Sequence, residues 1–299
     1  MNRRTFLRSS FLSLAAVPVL SKSGLGRPLP FPEDTAEFKG ENVLARIIQE
    51  AETLLWYDHP IGDLTGLVGL RLRGTPYVAG TLELYEDREV CSANLLGLDC
   101  VTFYEAALGI ARMIKTGQSS PEDLLGQFAL MRYRGGEPGD YASRLHYTSE
   151  WFADNAKKGI VQVITADLKG AEKYAKRIDF MSTHTSAYKQ LKANPEMVGE
   201  IEAAEKRLNQ ATRYYVPKGK IQQAESGLQT GDIIGITTSI KGLDVSHTGL
   251  CYRDEEGTLR LLHASLTHKK VVLDSALHSY LAGNKKQTGI IVARPLTVS

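Results

Sequence analysis

Three side chains in this sequence are of types that together could carry out nucleophilic chemistry: Cys100, His247 and His263. Cys100 stands in Leu98-Asp99-Cys100-Val101-Thr102-Phe103. Asp99 is placed there as a helix N-cap, and Val101, Tyr104, Leu108, Ala111 and Ile114 follow at helical spacing up to Gly117. A thiol at that position meets unpaired backbone N–H groups and the positive end of the helix dipole. Both stabilise a thiolate, and the N–H groups can hold a developing oxyanion. Asp99 works against the thiolate unless those N–H groups absorb its charge. A single cysteine is more often a small buried apolar residue, so the catalytic reading depends on a base.

That base is usually an imidazole held by a third polar group. His247, in Val245–Leu250, and His263, in Leu261–Ser265, fall in segments of alternating polarity. If Arg253-Asp254-Glu255-Glu256-Gly257 is a hairpin loop, Tyr252 opposes Thr258 and His247 opposes His263. Directly opposed antiparallel residues share a face, with Cβ atoms about 4.5–5.5 Å apart. His263 can then orient His247 as the base. The same three residues could ligate zinc, but the chain has no Cys-x-x-Cys, no His-Glu-x-x-His and no clustered carboxylate beside them. No metal or other cofactor is expected.

These groups need elements to position them. Leu44, Ile47, Ile48, Ala51, Leu54 and Leu55 predict an amphipathic helix over 41–56, and Pro76–Gly80 reads as strand-like. The region from about 118 to 215 is mostly helical and polar, with its clearest helix starting at Asn194-Pro195-Glu196. From about 230 the period changes to two, predicting strands at Asp232–Thr238, Val245–Tyr252, Thr258–Ser265, Lys269–Leu273 and Gly289–Pro295. The fold class is α+β: a helix bearing Cys100 packed on an antiparallel sheet bearing both histidines, with a helical region inserted between them.

Composition narrows the function classes. The chain has 299 residues, 42% of them hydrophobic and 23% charged, which excludes a disordered, collagenous or multi-span membrane protein. A net charge of +2 gives no basic excess for nucleic acid, and three cysteines cannot staple a chain of this size. The N-terminus carries Arg3-Arg4 before Phe6-Leu7, then an apolar stretch from Phe11 to Leu20 that is too short to span a bilayer. It reads as a twin-arginine export signal over about residues 1–26, leaving 27–299 as a single domain that works outside the cytoplasm, most simply in a periplasm. Arg3, Arg4, Arg8 and Lys22 are the charges of its first 22 residues; taking those four from +2 leaves −2 for the rest.

The Cys100 and His263 blocks and Ser246-His247-Thr248-Gly249 resemble the Cys, His and third-polar blocks of NlpC-type cell-wall cysteine peptidases, which have a papain-like fold. Pro76-Tyr77 is similar to the tyrosine-bearing segment that precedes their cysteine. More narrowly, the chain resembles the bacterial N-acetylmuramoyl-L-alanine amidase-like family. The matching segments are Tyr77–Leu82, Leu98–Glu105, Tyr141–Asn155, Phe180–Thr183, Gly231–Ile234, Gly242–Gly249, Leu262–Ser265 and Gly289–Pro295. The resemblance implies cleavage of the amide between the lactyl group of N-acetylmuramic acid and L-Ala, with peptidoglycan-derived muropeptides, anhydromuramyl peptides among them, as substrates. It makes Cys100 the nucleophile, His247 the base, His263 the third residue and Tyr77 an oxyanion support. Arg144, His146, Tyr147 and Trp151 offer a cation, an imidazole and aromatic faces suited to a muropeptide's carboxylates and sugars. A γ-D-glutamyl stem-peptide endopeptidase on the same fold and a catalytically decayed muropeptide-binding module remain as alternatives. The oligomeric state is not set by the sequence.

Overall fold

The period-two segments after residue 230 form the sheet expected of them. A computed structural model describes residues 36–298, so the export signal expected over 1–26 lies outside the described residues. In chain order the elements are β1 (Ala36–Lys39), α1 (Glu41–Thr53), α2 (Ile61–Arg71), β2 (Cys91–Asn94), α3 (Cys100–Thr116), α4 (Pro121–Arg132) and α5 (Thr148–Lys157). Then come β3 (Val161–Val163), β4 (Glu172–Lys173), α6 (Phe180–Thr183), α7 (Lys189–Ala193), α8 (Val198–Gln210), β5 (Tyr214–Pro217) and α9 (Ile221–Ala224). The chain closes with β6 (Ile233–Thr238), β7 (Val245–Arg253), β8 (Leu259–Ser265), β9 (Lys270–Ala276), α10 (Leu277–Ala282) and β10 (Gln287–Pro295).

The main sheet runs β4-β5-β10-β6-β7-β8-β9, with β3 also paired to β10, and all its neighbours are antiparallel. Both faces of its centre are buried: all six residues of β6 are, so its Ile-Ile-Gly-Ile run departs from the two-residue alternation expected over Asp232–Thr238. Ile233, Leu250, Leu262 and Ile291 belong to the core shared with α3. Ile234, Ile236, Cys251, Leu261 and Val292 belong to a second core closed by Leu277 and Leu281 of α10 and Ile221 of α9.

The Cys-bearing helix is anchored as its sequence requires. Every residue of α3 from Thr102 to Ile114 is buried, and Asp99 caps it through a reciprocal capping box with Thr102. Helix α3 packs between α2 and α4 and against β7 and β8. The region 118–215 is less regular than its periodicity implies: its helices are short, and it contributes β3, β4 and part of β5 to the sheet. In α8, Ile201 and Leu208 join a third apolar cluster with Tyr141, Tyr147, Ile178 and Met181. Among the described residues no helix is long and apolar enough to cross a membrane.

Candidate active site

The two histidines meet, though not in the register that sequence spacing suggests. Leu250 pairs with Leu262 and Arg253 with Leu259, so Gly249 rather than His247 comes opposite His263. The loop is shorter than the five residues expected. Asp254 N–H donates to the Thr258 carbonyl at 3.0 Å, and the Asp254 carboxylate accepts from Thr258 N–H at 2.8 Å. That leaves Glu255-Glu256-Gly257 as a three-residue turn, with Gly257 at φ 80, a conformation that favours glycine. The register differs by two residues, so the face is preserved. His247 meets His263 diagonally across the space left by Gly249, whose missing Cβ would lie 2.9 Å from His263 Cβ.

His247 Nε2 lies 2.6 Å from His263 Nδ1, and His263 Nε2 lies 3.2 Å from Asp274 Oδ2. Asp274 is absent from the sequence reading. Between Arg260 and Leu262 the β8–β9 register shifts, placing Asp274 and Ser275 together in a bulge; bulges re-aim side chains in this way. An ionised carboxylate only accepts, so the proton between Asp274 and His263 sits on His263 Nε2. His263 Nδ1 then accepts from His247 Nε2–H, and His247 Nδ1 keeps its lone pair. The chain fixes which nitrogen of His247 keeps a free lone pair.

Burial and the neighbouring His263 push the half-buried His247 imidazole down to about 3. Burial also lowers His263, against the pull of Asp274. Burial raises Asp274, but the Ser275 N–H and His263 outweigh it and leave that carboxyl below its ordinary value. Tyr280 of α10 stands against both rings, with centroids 6.2 Å from His247 and 5.1 Å from His263.

Cys100 begins α3 as expected, and it shares the helix end with the cap that precedes it. The Asp99 carboxylate takes the N–H groups of Val101 at 3.0 Å and Thr102 at 2.8 Å. Burial first, then the charge of Asp99, push the thiol up to about 11, and hydrogen bonding from Thr248 only partly offsets this. Asp99 therefore works against a thiolate, both by taking the Val101 and Thr102 N–H groups and by its charge, while the Cys100 N–H remains to favour one. Burial thus disfavours the charged form of both the thiol and the imidazole.

Thr248, the residue after His247, donates its hydroxyl to the Cys100 carbonyl at 2.6 Å, tying the start of α3 to β7. No hydrogen bond joins the Cys100 thiol to His247 among the described residues. Such contacts are often long without substrate and tighten when it binds. Tyr77 is brought to the same place: its N–H donates to the Lys269 carbonyl at 2.9 Å, and it bridges to Leu98. Burial, with Cys100 and Asp99 nearby, pushes the Tyr77 phenol up to about 12, so it remains a donor at neutral pH. Among the described residues, no group of three or more His, Cys, Asp or Glu side chains is arranged to hold a metal ion.

The four residues read as substrate contacts go elsewhere. Trp151 is 1% exposed, and its indole N–H donates to Glu105 at 3.0 Å; Glu105 is also paired with buried Arg132. Arg144 is buried between Glu83 and Glu89. The Tyr147 hydroxyl donates to Glu205 at 2.7 Å inside the third cluster. His146 packs against the Tyr141 ring at a tilt of 44° and contacts the Tyr141 carbonyl at 2.7 Å. Their polar groups are engaged by other residues of the fold, and burial of Arg144, Tyr147 and Trp151 removes them from any open cleft. Cys91 and Cys251 are buried thiols, both raised by burial.

A family model described as N-acetylmuramoyl-L-alanine amidase-like matches residues 67–290. A crystal structure of an N-acetylmuramoyl-L-alanine amidase from Bacteroides uniformis is similar at TM-score 0.72 and 34% identity, covering 79% of this chain and 99% of that one. A Bacteroides fragilis protein provisionally named a xylanase is similar at TM-score 0.69 and 38% identity, covering 76% and 99%. A Legionella pneumophila protein shares the fold at TM-score 0.64 and 20% identity, covering 86% and 94%. No curated protein matches the chain.

Proposed function

The chain belongs to the N-acetylmuramoyl-L-alanine amidase-like family, and from that premise we propose that it is a cysteine amidase that cleaves the muramoyl–L-Ala amide of peptidoglycan fragments, anhydromuramyl peptides among them, after export to the periplasm. The observation that carries this reading is the chain His247–His263–Asp274, which leaves His247 Nδ1 as a base at the strand joined to Cys100.

Burial of both groups favours a neutral pair at rest, and this sets the order of events. Cys100 attacks the lactyl carbonyl while its proton passes to His247 Nδ1, so no thiolate accumulates beforehand. The imidazolium is held through His263 by the Asp274 carboxylate. The oxyanion is met by the Tyr77 hydroxyl and the Cys100 N–H, which the Asp99 cap leaves free. His247 then gives its proton to the L-Ala nitrogen, the C–N bond breaks, and a thioester remains on Cys100. Water, deprotonated by His247, hydrolyses it to the muramic acid carboxylate and regenerates the thiol. Glycoside hydrolysis, suggested by the xylanase name of one neighbour, ordinarily uses two carboxylates flanking the bond, whereas the carboxylates here, Asp99 and Asp274, are engaged in capping α3 and holding His263.

The test is mass spectrometry of products from a defined anhydromuramyl tetrapeptide, with wild type beside Cys100→Ala. Free tetrapeptide beginning at L-Ala, absent with the variant, is the expected result. A muramyl-L-Ala-D-Glu product would instead indicate stem-peptide endopeptidase activity. No product under reducing conditions, with retained binding by both proteins, would indicate a muropeptide-binding module.

A further inference from the structure

With Arg144, Tyr147 and Trp151 in the core, recognition of the substrate's peptide must be carried by other residues. A cavity of about 750 Å³ lies between the β4–α6 segment and α8, within the size range of small-ligand sites. Five basic side chains line it: Lys173, Lys176, Arg177, Lys206 and Arg213. Three acids also line it, and two of them are engaged. Glu205 accepts from Tyr147 and from both the N–H and the hydroxyl of Ser182, and Asp179 pairs with Arg177. Lys173 and Lys206 have no carboxylate partner among the described residues. Arg213 donates one N–H to the Lys176 carbonyl, while its Nε and Nη1, shielded from water, have no partner among the described residues.

The cavity shares no lining residue with the candidate active site but is tied to the strand beside His247. The Lys176 ammonium donates to the Thr238 carbonyl at the end of β6. Ile236, two residues before it, pairs with His247. Strand geometry then puts Thr238 within roughly 10 Å of His247. Asp179 and Phe180 donate their N–H groups to Gly242, in the segment leading into β7. An excess of cations, several without partners, beside the strand that carries the base suits a ligand with more than one carboxylate.

We propose that this cavity is the subsite for the leaving peptide, binding the free carboxylates of an acidic stem peptide and selecting it over neutral peptides. This rests on the amidase reading for the identity of the peptide. The test is calorimetric titration of the full chain with L-Ala-γ-D-Glu-diaminopimelate, against the same peptide with its carboxylates amidated. Wild type is compared with the double variant Lys173→Glu/Lys206→Glu, whose exposed sites leave the core intact. The expected results are at least tenfold tighter binding of the acidic peptide, at least a tenfold loss in the variant, and, with intact substrate, a KM that rises more than kcat falls. Equal binding of the two peptides, or an unchanged Kd in the variant, overturns the proposal. Charge-dependent binding without amide cleavage would leave the acidic-peptide site standing and remove the amidase reading. Cleavage with Kd and KM unchanged by charge reversal would do the opposite.

Discussion

Removing the Asp274 charge tests the proton chain. Across the two contacts of 2.6 and 3.2 Å and the imidazole ring between them, the carboxylate lies roughly 8 Å from the His247 ring. At an effective dielectric of about 20, its attraction for an imidazolium there is about 2 kcal/mol. That corresponds to about a 30-fold loss in kcat/KM for Asp274→Ala. Asp274→Asn should lose more. Its amide can donate to His263 Nε2, moving the ring proton to Nδ1 and forcing His247 into the tautomer whose Nδ1 has no lone pair. The assay is steady-state hydrolysis of a defined anhydromuramyl peptide at pH 7, with thermal melts to confirm equal folding. Activity within threefold of wild type in both variants, or an Asn variant more active than the Ala variant, would refute the relay.

With the thiol pushed up to about 11, alkylation of Cys100 by iodoacetamide should accelerate about tenfold per pH unit from 7 to 10; a plateau below pH 8 in rate measurements would show a preformed thiolate. Tyr77→Phe should lower kcat by about tenfold to a hundredfold with little change in KM, the signature of a lost oxyanion donor in steady-state kinetics. Arg132→Met strands the buried Glu105 carboxylate and should cost about 3–5 kcal/mol in denaturant unfolding while leaving KM unchanged, because the Arg132–Glu105–Trp151 cluster is a core feature.

Local signals made the thiol's position legible. Asp99 is a strong cap, the apolar period after it is unbroken, and Gly117 ends the helix where expected. The pairing of the histidines was legible as a face, because a register difference of two residues keeps the face. It was not legible as a register, because the turn depends on how the Asp254 side chain closes it. Asp274 was missed for a related reason. The strand read from alternation stops at Leu273, while the bulge that turns Asp274 toward His263 forms only when β8 and β9 pair. Arg144 and Trp151 were assigned to substrate because their partners, Glu83, Glu89 and Glu105, stand far away in sequence. Spacing alone carries no signal that such groups meet and neutralise one another in the core.

The central claim is that Cys100 carries the acyl group during turnover. Intact-protein and peptide mass spectrometry of wild type, acid-quenched during reaction with an anhydromuramyl peptide, tests this most directly. The account predicts a transient adduct with the mass of the anhydromuramoyl moiety on the peptide containing Cys100, lost on further incubation and absent from Cys100→Ser run in parallel. Product released with no adduct on Cys100 at any quench time, or an adduct on another residue, would contradict it.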